Sequence, residues 1–132
     1  MNGVEQLASW IQESSNIVFF GGAGTSTESG IPDFRSAAGL YQTEQHSPYP
    51  PEELLSRHFF DQHADIFYDF YRGKMLHPDA EPNGCHKLLA RLEQEGRLKA
   101  VITQNIDGLH QKAGSTNVLE LHGSVHRNAC MD

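Results

Sequence analysis

The order of elements along this chain predicts an α/β fold with a parallel sheet, and three observations carry that prediction. Short apolar runs at Ile17–Phe20, Leu98–Thr103 and Val118–Leu121 read as buried strands. Segments of helical period lie before the first run and between the first and the second. Each of the first two runs leads directly into a polar, glycine-bearing loop. Helix, strand, helices, helix, strand, strand is an α/β order.

The elements follow in turn. Val4, Leu7, Ala8 and Ile11 stand at i, i+3, i+4 and i+7, so residues 4–14 are expected to form an amphipathic helix. Ser14, Ser15 and Asn16 break it before the first strand. Residues 21–40 read as a long loop of Gly, Ser and Thr, and Pro48, Pro50 and Pro51 mark another irregular stretch. Pro51 suits the first turn of a helix. The aromatic-rich stretch from Glu52 to Leu76 is expected to form one or two short helices in an apolar module spanning about 41–76. Cys85, Leu88, Leu89 and Leu92 give the next helical face, which Gly96 is placed to end.

Composition narrows the class. The 132 residues suffice for one domain with a core, and 38% hydrophobic with 20% charged residues fits a globular protein. A formal charge of −7 and the lack of any Lys/Arg cluster argue against a nucleic-acid surface. No apolar run approaches the ~20 residues needed to cross a bilayer, so no membrane partner is expected. Two cysteines, Cys85 and Cys130, make no disulfide framework, and the first basic residue is Arg35, which fits neither a secretory nor a mitochondrial leader. The expected compartment is a reducing cytoplasm.

Three motifs carry candidate chemistry. Gly22-Ala23-Gly24, after a strand, allows backbone N–H groups to approach a phosphate. The dinucleotide fingerprint would place a third glycine where Thr27 stands, and an ordinary turn explains the tripeptide equally well. Asp33, Phe34 and Arg35 then add a carboxylate, a flat ring and a guanidinium, although Arg35 alone reads as a surface ion pair. The second motif is Thr103–His110, "TQNIDGLH", where Gln104, Asn105 and Asp107 offer amides and a carboxylate at a strand end; Asn-x-Asp-Gly is also good turn chemistry. The third is Leu121-His122-Gly123, whose histidine can serve as a general base. His122, His126 and Cys130 also stand at a spacing that would bind metal on a helix, but Gly123 argues against a helix there.

Taken in order, "GAGTSTESGIPDFR", "TQNIDGLH" and "LHG" resemble the sirtuins, the NAD-dependent protein lysine deacylases, in their bacterial form. The resemblance runs from about residue 5 to 130. It implies a partial Rossmann-like parallel sheet with an inserted small helical module. It implies that the loop of Gly22 and Gly24 lies along the NAD pyrophosphate and ribose. Ala23, Thr27, Phe34, Arg35, Gln104, Ile106 and Asp107 match cofactor-contacting positions, and Asp33 is grouped with them. Asp107 is similar to the carboxylate that holds the nicotinamide amide, Asn105 to the residue that orients ribose and a water, and His122 to the general base. The implied reaction takes an acyl-lysine protein or peptide, NAD and water to free lysine, nicotinamide and O-acyl-ADP-ribose.

The resemblance also sets an expectation about extent. In the family a zinc ribbon begins with Cys-x-x-Cys; Cys130 matches its first ligand, and position 133 lies beyond Asp132. Residues 1–132 are therefore expected to be about half a sirtuin, ending at the start of the zinc ribbon, unable to complete a four-ligand site. The competing reading is a non-catalytic fragment that binds nucleotide weakly or not at all.

Overall fold

The computed structural model describes residues 2–36, 39–40 and 47–132. The first six positions of the expected 41–76 module lie outside the described residues. The sheet has three parallel strands in the order β1 (Ile17–Gly21), β2 (Leu98–Thr103) and β3 (Val118–Glu120). The parallel α/β architecture is as expected; the third strand stops one residue earlier, at Glu120.

Helix α1 (Gly3–Glu13) starts at a capping box: Glu5 N donates to Asn2 Oδ1 and Asn2 N to Glu5 Oε2, both at 2.9 Å. Its apolar stripe differs from expectation. Val4, Leu7 and Trp10 are exposed, and Ile11 alone of the stripe reaches the core. The main core forms on one face of the sheet, where Ile17, Phe19, Val101 and Val118 meet Leu89 and Leu92 of the helix Gly84–Gln94, with Leu98 beside them. Strand alternation sends Val18 and Phe20 to the opposite face, beside Ala100, Ile102 and Leu119. That second face is bare: Val18, Phe20, Leu119 and Leu121 are 50–60% exposed.

The small module holds α2 (Pro51–Leu54), α3 (Arg57–Gln62) and α4 (Ala64–Phe70), continued by a π-helical turn, Tyr71–Met75. Pro51 sits in the first turn of α2, as expected. Ser56 caps α3 by accepting from Phe59 N. The module's aromatics pack edge to face, Phe60 on Phe67 at 4.9 Å and Tyr49 on Phe59 at 4.9 Å between centroids.

Helix α5 (Gly84–Gln94) buries His86, Leu89, Ala90 and Leu92, while Cys85 and Leu88 are exposed. Leu89 and Leu92 of the expected face are thus buried as expected, while His86 and Ala90 take the places expected of Cys85 and Leu88. The helix ends as predicted at Gly96 (φ 74°): Gly96 N donates to Glu93 O and Arg97 N to Leu92 O, the paired bonds of a Schellman motif. A further short helix, α6 (Leu109–Lys112), was not anticipated from the sequence. The segment expected as loop at 21–40 contains two 3₁₀ turns, Ala23–Thr25 and Thr27–Ser29.

Candidate active site at the carboxyl end of the sheet

Parallel pairing sets the ends of the three strands level. Gly21 pairs with Thr103 and Thr103 with Glu120, so the loops that follow emerge side by side. Gln104 N donates to Gly21 O and Leu121 N to Thr103 O, carrying the ladder one step past the strands. Ligands of open α/β sheets bind at this edge. Here a cavity of about 600 Å³ is lined by Ala23, Phe34, Gln104, Asn105, Ile106, Asp107 and His122, joined by Leu55, Phe67 and Tyr71 from the small module.

The glycines divide in function. A Cβ at Gly22 would lie 2.8 Å from Gln104 Oε1, so this glycine lets the two loops meet. A Cβ at Gly24 would meet nothing within 4 Å, so no close approach within the chain calls for glycine there.

Beneath the cavity lies a polar network. Ser26, 1% exposed, donates from Oγ to Asp107 Oδ2 at 2.7 Å. Leu109 N donates to Asp107 Oδ1 at 2.9 Å, so both oxygens of the carboxylate are held. Asn105 Nδ2 donates to Gly22 O (3.0 Å) and to Ser26 Oγ (3.2 Å), leaving its Oδ1 as an acceptor. Asn83 N donates to Nδ1 of the fully buried His86 at 3.1 Å, which places a neutral ring's proton on Nε2, 3.4 Å from Ser26 Oγ. Asn83 also donates from Nδ2 to Thr25 O and Ser29 Oγ, fastening the start of α5 to the glycine loop.

Burial lowers the pKa of His86, against the opposing pull of Asp107. His110 packs edge-on against it, 4.8 Å between centroids, and neither His110 nitrogen has a hydrogen-bond partner among the described residues. Burial, with His86 beside it, pushes His110 down to about 4. Both rings are therefore neutral at pH 7.

Among the residues singled out from sequence, the cavity wall gathers Ala23, Phe34, Gln104, Asn105, Ile106, Asp107 and His122. Gly22, Gly24, Thr27, Asp33 and Arg35 lie outside that lining. Thr27 Oγ1 donates back to Gly24 O, and Asp33 Oδ1 accepts from Ser36 N and Oγ within its own turn. Cys130 is exposed, and no group of three metal-ligating side chains occurs among the described residues. The spacing of His122, His126 and Cys130 falls on irregular chain, not on a helix. Sequence reasoning missed Ser26 and His86: 60 residues separate them, and nothing local marks either.

Comparison with known proteins accords with this geometry. A model of the Sir2 family matches residues 22–132. The chain belongs to the Sir2 family. It is 59% identical over 132 residues to an NAD-dependent protein deacetylase of Clostridium acetobutylicum, covering 100% of this chain and 54% of the relative. Identity to one of Cutibacterium acnes is 61% over 127 residues, covering 96% and 52%. A structure described as "Sir2 bound to acetylated peptide" superposes with a TM-score of 0.74 at 41% identity, covering 95% of this chain and 47% of that one. Another, from a study of the mechanism and regulation of Sir2 enzymes, gives 0.80 at 46% identity, covering 92% and 46%. This Sir2-family chain thus spans about half the length of the curated relatives it matches.

Proposed function

We propose that this Sir2-family chain carries the nicotinamide-ribose and acyl-lysine side of an NAD-dependent protein lysine deacetylase. The observation behind the reading is the convergence of Phe34, Asn105, Asp107 and His122 on one cavity floored by the Ser26–Asp107 network. The donor set fits NAD. Asp107, held at both oxygens, keeps lone pairs for a carboxamide.

NAD would supply a ribose carbon bearing nicotinamide as leaving group. Asp107 orients the amide of that ring. Asn105, its N–H₂ committed to Gly22 and Ser26, accepts through Oδ1 from a hydroxyl or water. Phe34 and Ile106 exclude solvent. His122 takes the proton of a ribose hydroxyl during acyl transfer. The apolar wall of Leu55, Phe67 and Tyr71 suits a neutral acyl chain. The partner is an acyl-lysine protein or peptide, in the cytoplasm, without nucleic acid or membrane. Cys130 would be one ligand of a structural zinc whose other ligands are not among these residues.

The test is nicotinamide release from NAD with an acetyl-lysine peptide, in a chain extended by the remaining length of a relative. His122→Ala should abolish most deacylation while NAD affinity stays within a few-fold. A variant that deacylates at the parent rate refutes the assignment. The bare sheet face, with Val18 and Phe20 exposed, supports a second reading: residues 1–132 alone bind nucleotide weakly without turnover. Turnover by residues 1–132 at the extended chain's rate would refute that.

A further inference from the structure

The segment after His122 is stitched to the loop that carries Asp107. Val125 N donates to Ile106 O at 3.1 Å, and the next residue, His126, places Nε2 2.9 Å from Asp107 O. A carbonyl only accepts, so Nε2 carries the proton. His126 N in turn donates to Ser124 Oγ at 3.1 Å, fixing the turn from which the ring projects. Gly108 makes room for the ring: a Cβ there would lie 2.6 Å from His126 Cδ2 and 2.9 Å from Nε2. Gly108 also has φ 71°, so a side chain is disfavoured twice over.

We infer that His126 is a positioning residue, fixing the peptide plane of Asp107 and thereby the aim of its carboxylate. Three groups outside the carboxylate then define where Asp107 points: Ser26 and Leu109 at its oxygens, and His126 at its carbonyl. The first stitch, from Val125, is main-chain and any residue but proline could supply it. The second depends on the side chain at position 126. Because His122 begins the same segment, the two stitches also hold the spacing between His122 and Asp107. Both histidines line the cavity, but His126 has its Nε2 proton committed to structure.

The inference rests on the NAD reading above for its functional consequence and on geometry alone for the rest. The experiment uses the chain extended by the remaining length of a relative and compares it with its His126→Ala and His126→Gln variants, the glutamine having an amide nitrogen that reaches as far as Nε2 and can donate. NAD and ADP-ribose, which lacks nicotinamide, are titrated into each. Removing one ordinary hydrogen bond should weaken NAD about five-fold in His126→Ala, leave ADP-ribose unchanged, and be largely restored in His126→Gln. In parallel, nitrogen-15 NMR of the imidazole should show the His126 proton on Nε2, and the Val125 amide should lose exchange protection in His126→Ala alone. Equal weakening of both ligands, or no weakening of NAD, overturns the inference. So does a proton on Nδ1 alone. If the extended parent binds no NAD, the deacetylase reading fails, and the imidazole and exchange data decide the positioning role without it.

Discussion

His110 should make the stability of this chain depend on pH in a specific window. Its ring is 1% exposed, packed on Phe19 and His86, with both nitrogens unpartnered among the described residues. The folded pKa of about 4 lies below the ordinary 6.5, so between these values the unfolded chain holds a proton that the folded chain rejects. Stability is then full above pH 6.5 and falls as pH drops toward 4. The slope from one such proton is roughly 1.4 kcal/mol per pH unit, and the whole window is worth on the order of 3 kcal/mol. His86, shifted in the same direction, adds to it. The perturbation is His110→Phe, which keeps a ring against Phe19 and His86 but cannot titrate. Urea unfolding at half-unit steps from pH 7.5 to 4.5 should show a clearly shallower decline in the variant, whatever its absolute stability at pH 7. Parallel pH curves for parent and variant would refute the reasoning.

Two other predictions concern the network and the acyl pocket. Ser26→Ala orphans Asp107 Oδ2, one Asn105 proton and His86 Nε2, and should destabilise the chain by about 2–4 kcal/mol in urea unfolding; a change below 0.5 kcal/mol contradicts the network. Acetyl-lysine should be preferred over succinyl-lysine in the extended chain. Sirtuins that prefer acidic acyl groups resemble one another in a Tyr-x-x-Arg pair, and here Tyr68 is followed by Tyr71 at the arginine position. Arg72, next along, bonds Asp69 at 3.0 Å on the exposed surface. Lys74 also lines the cavity, so rates on the two peptides should be compared with and without Lys74→Met. A succinyl preference in the parent defeats the claim, and its loss in Lys74→Met would assign that preference to Lys74.

The loops were legible in sequence because their chemistry is local. A strand followed by "GGAG" or "QNIDG" announces an exposed backbone wherever it lies in the fold, and parallel order puts such loops at one edge. Helix faces were read less well. Of the expected α5 stripe of Cys85, Leu88, Leu89 and Leu92, the structure buries Leu89 and Leu92 and adds His86 and Ala90 in place of the other two. A polar residue on a buried face defeats a pattern based on hydrophobicity, and His86 is there for Asn83 and Ser26, not for its oiliness. The same holds for Ser26, which reads as one more small loop residue among several. The outward face of α1 was misjudged for the opposite reason: its periodicity is real, but no described residue covers Val4, Leu7 or Trp10.

The bare sheet face yields the remaining prediction. Phe20 is 60% exposed on the face away from α5, in register with Ile102 and, across it, Leu119. Parallel sheets are ordinarily covered on both faces, and a patch this apolar favours self-association. Phe20→Thr keeps a residue suited to a strand while removing the ring. In residues 1–132 it should cost less than about 1 kcal/mol in unfolding, because the ring contributes little burial there. It should also raise the concentration at which the chain remains monomeric in light scattering. In a chain extended by the relatives' remaining length, the same substitution should cost roughly 2 kcal/mol or more if the added residues cover the face. The difference between the two costs measures how much of Phe20 becomes buried. Equal costs would mean that the added residues leave this face open, and that the exposed ring belongs to the finished surface of the protein.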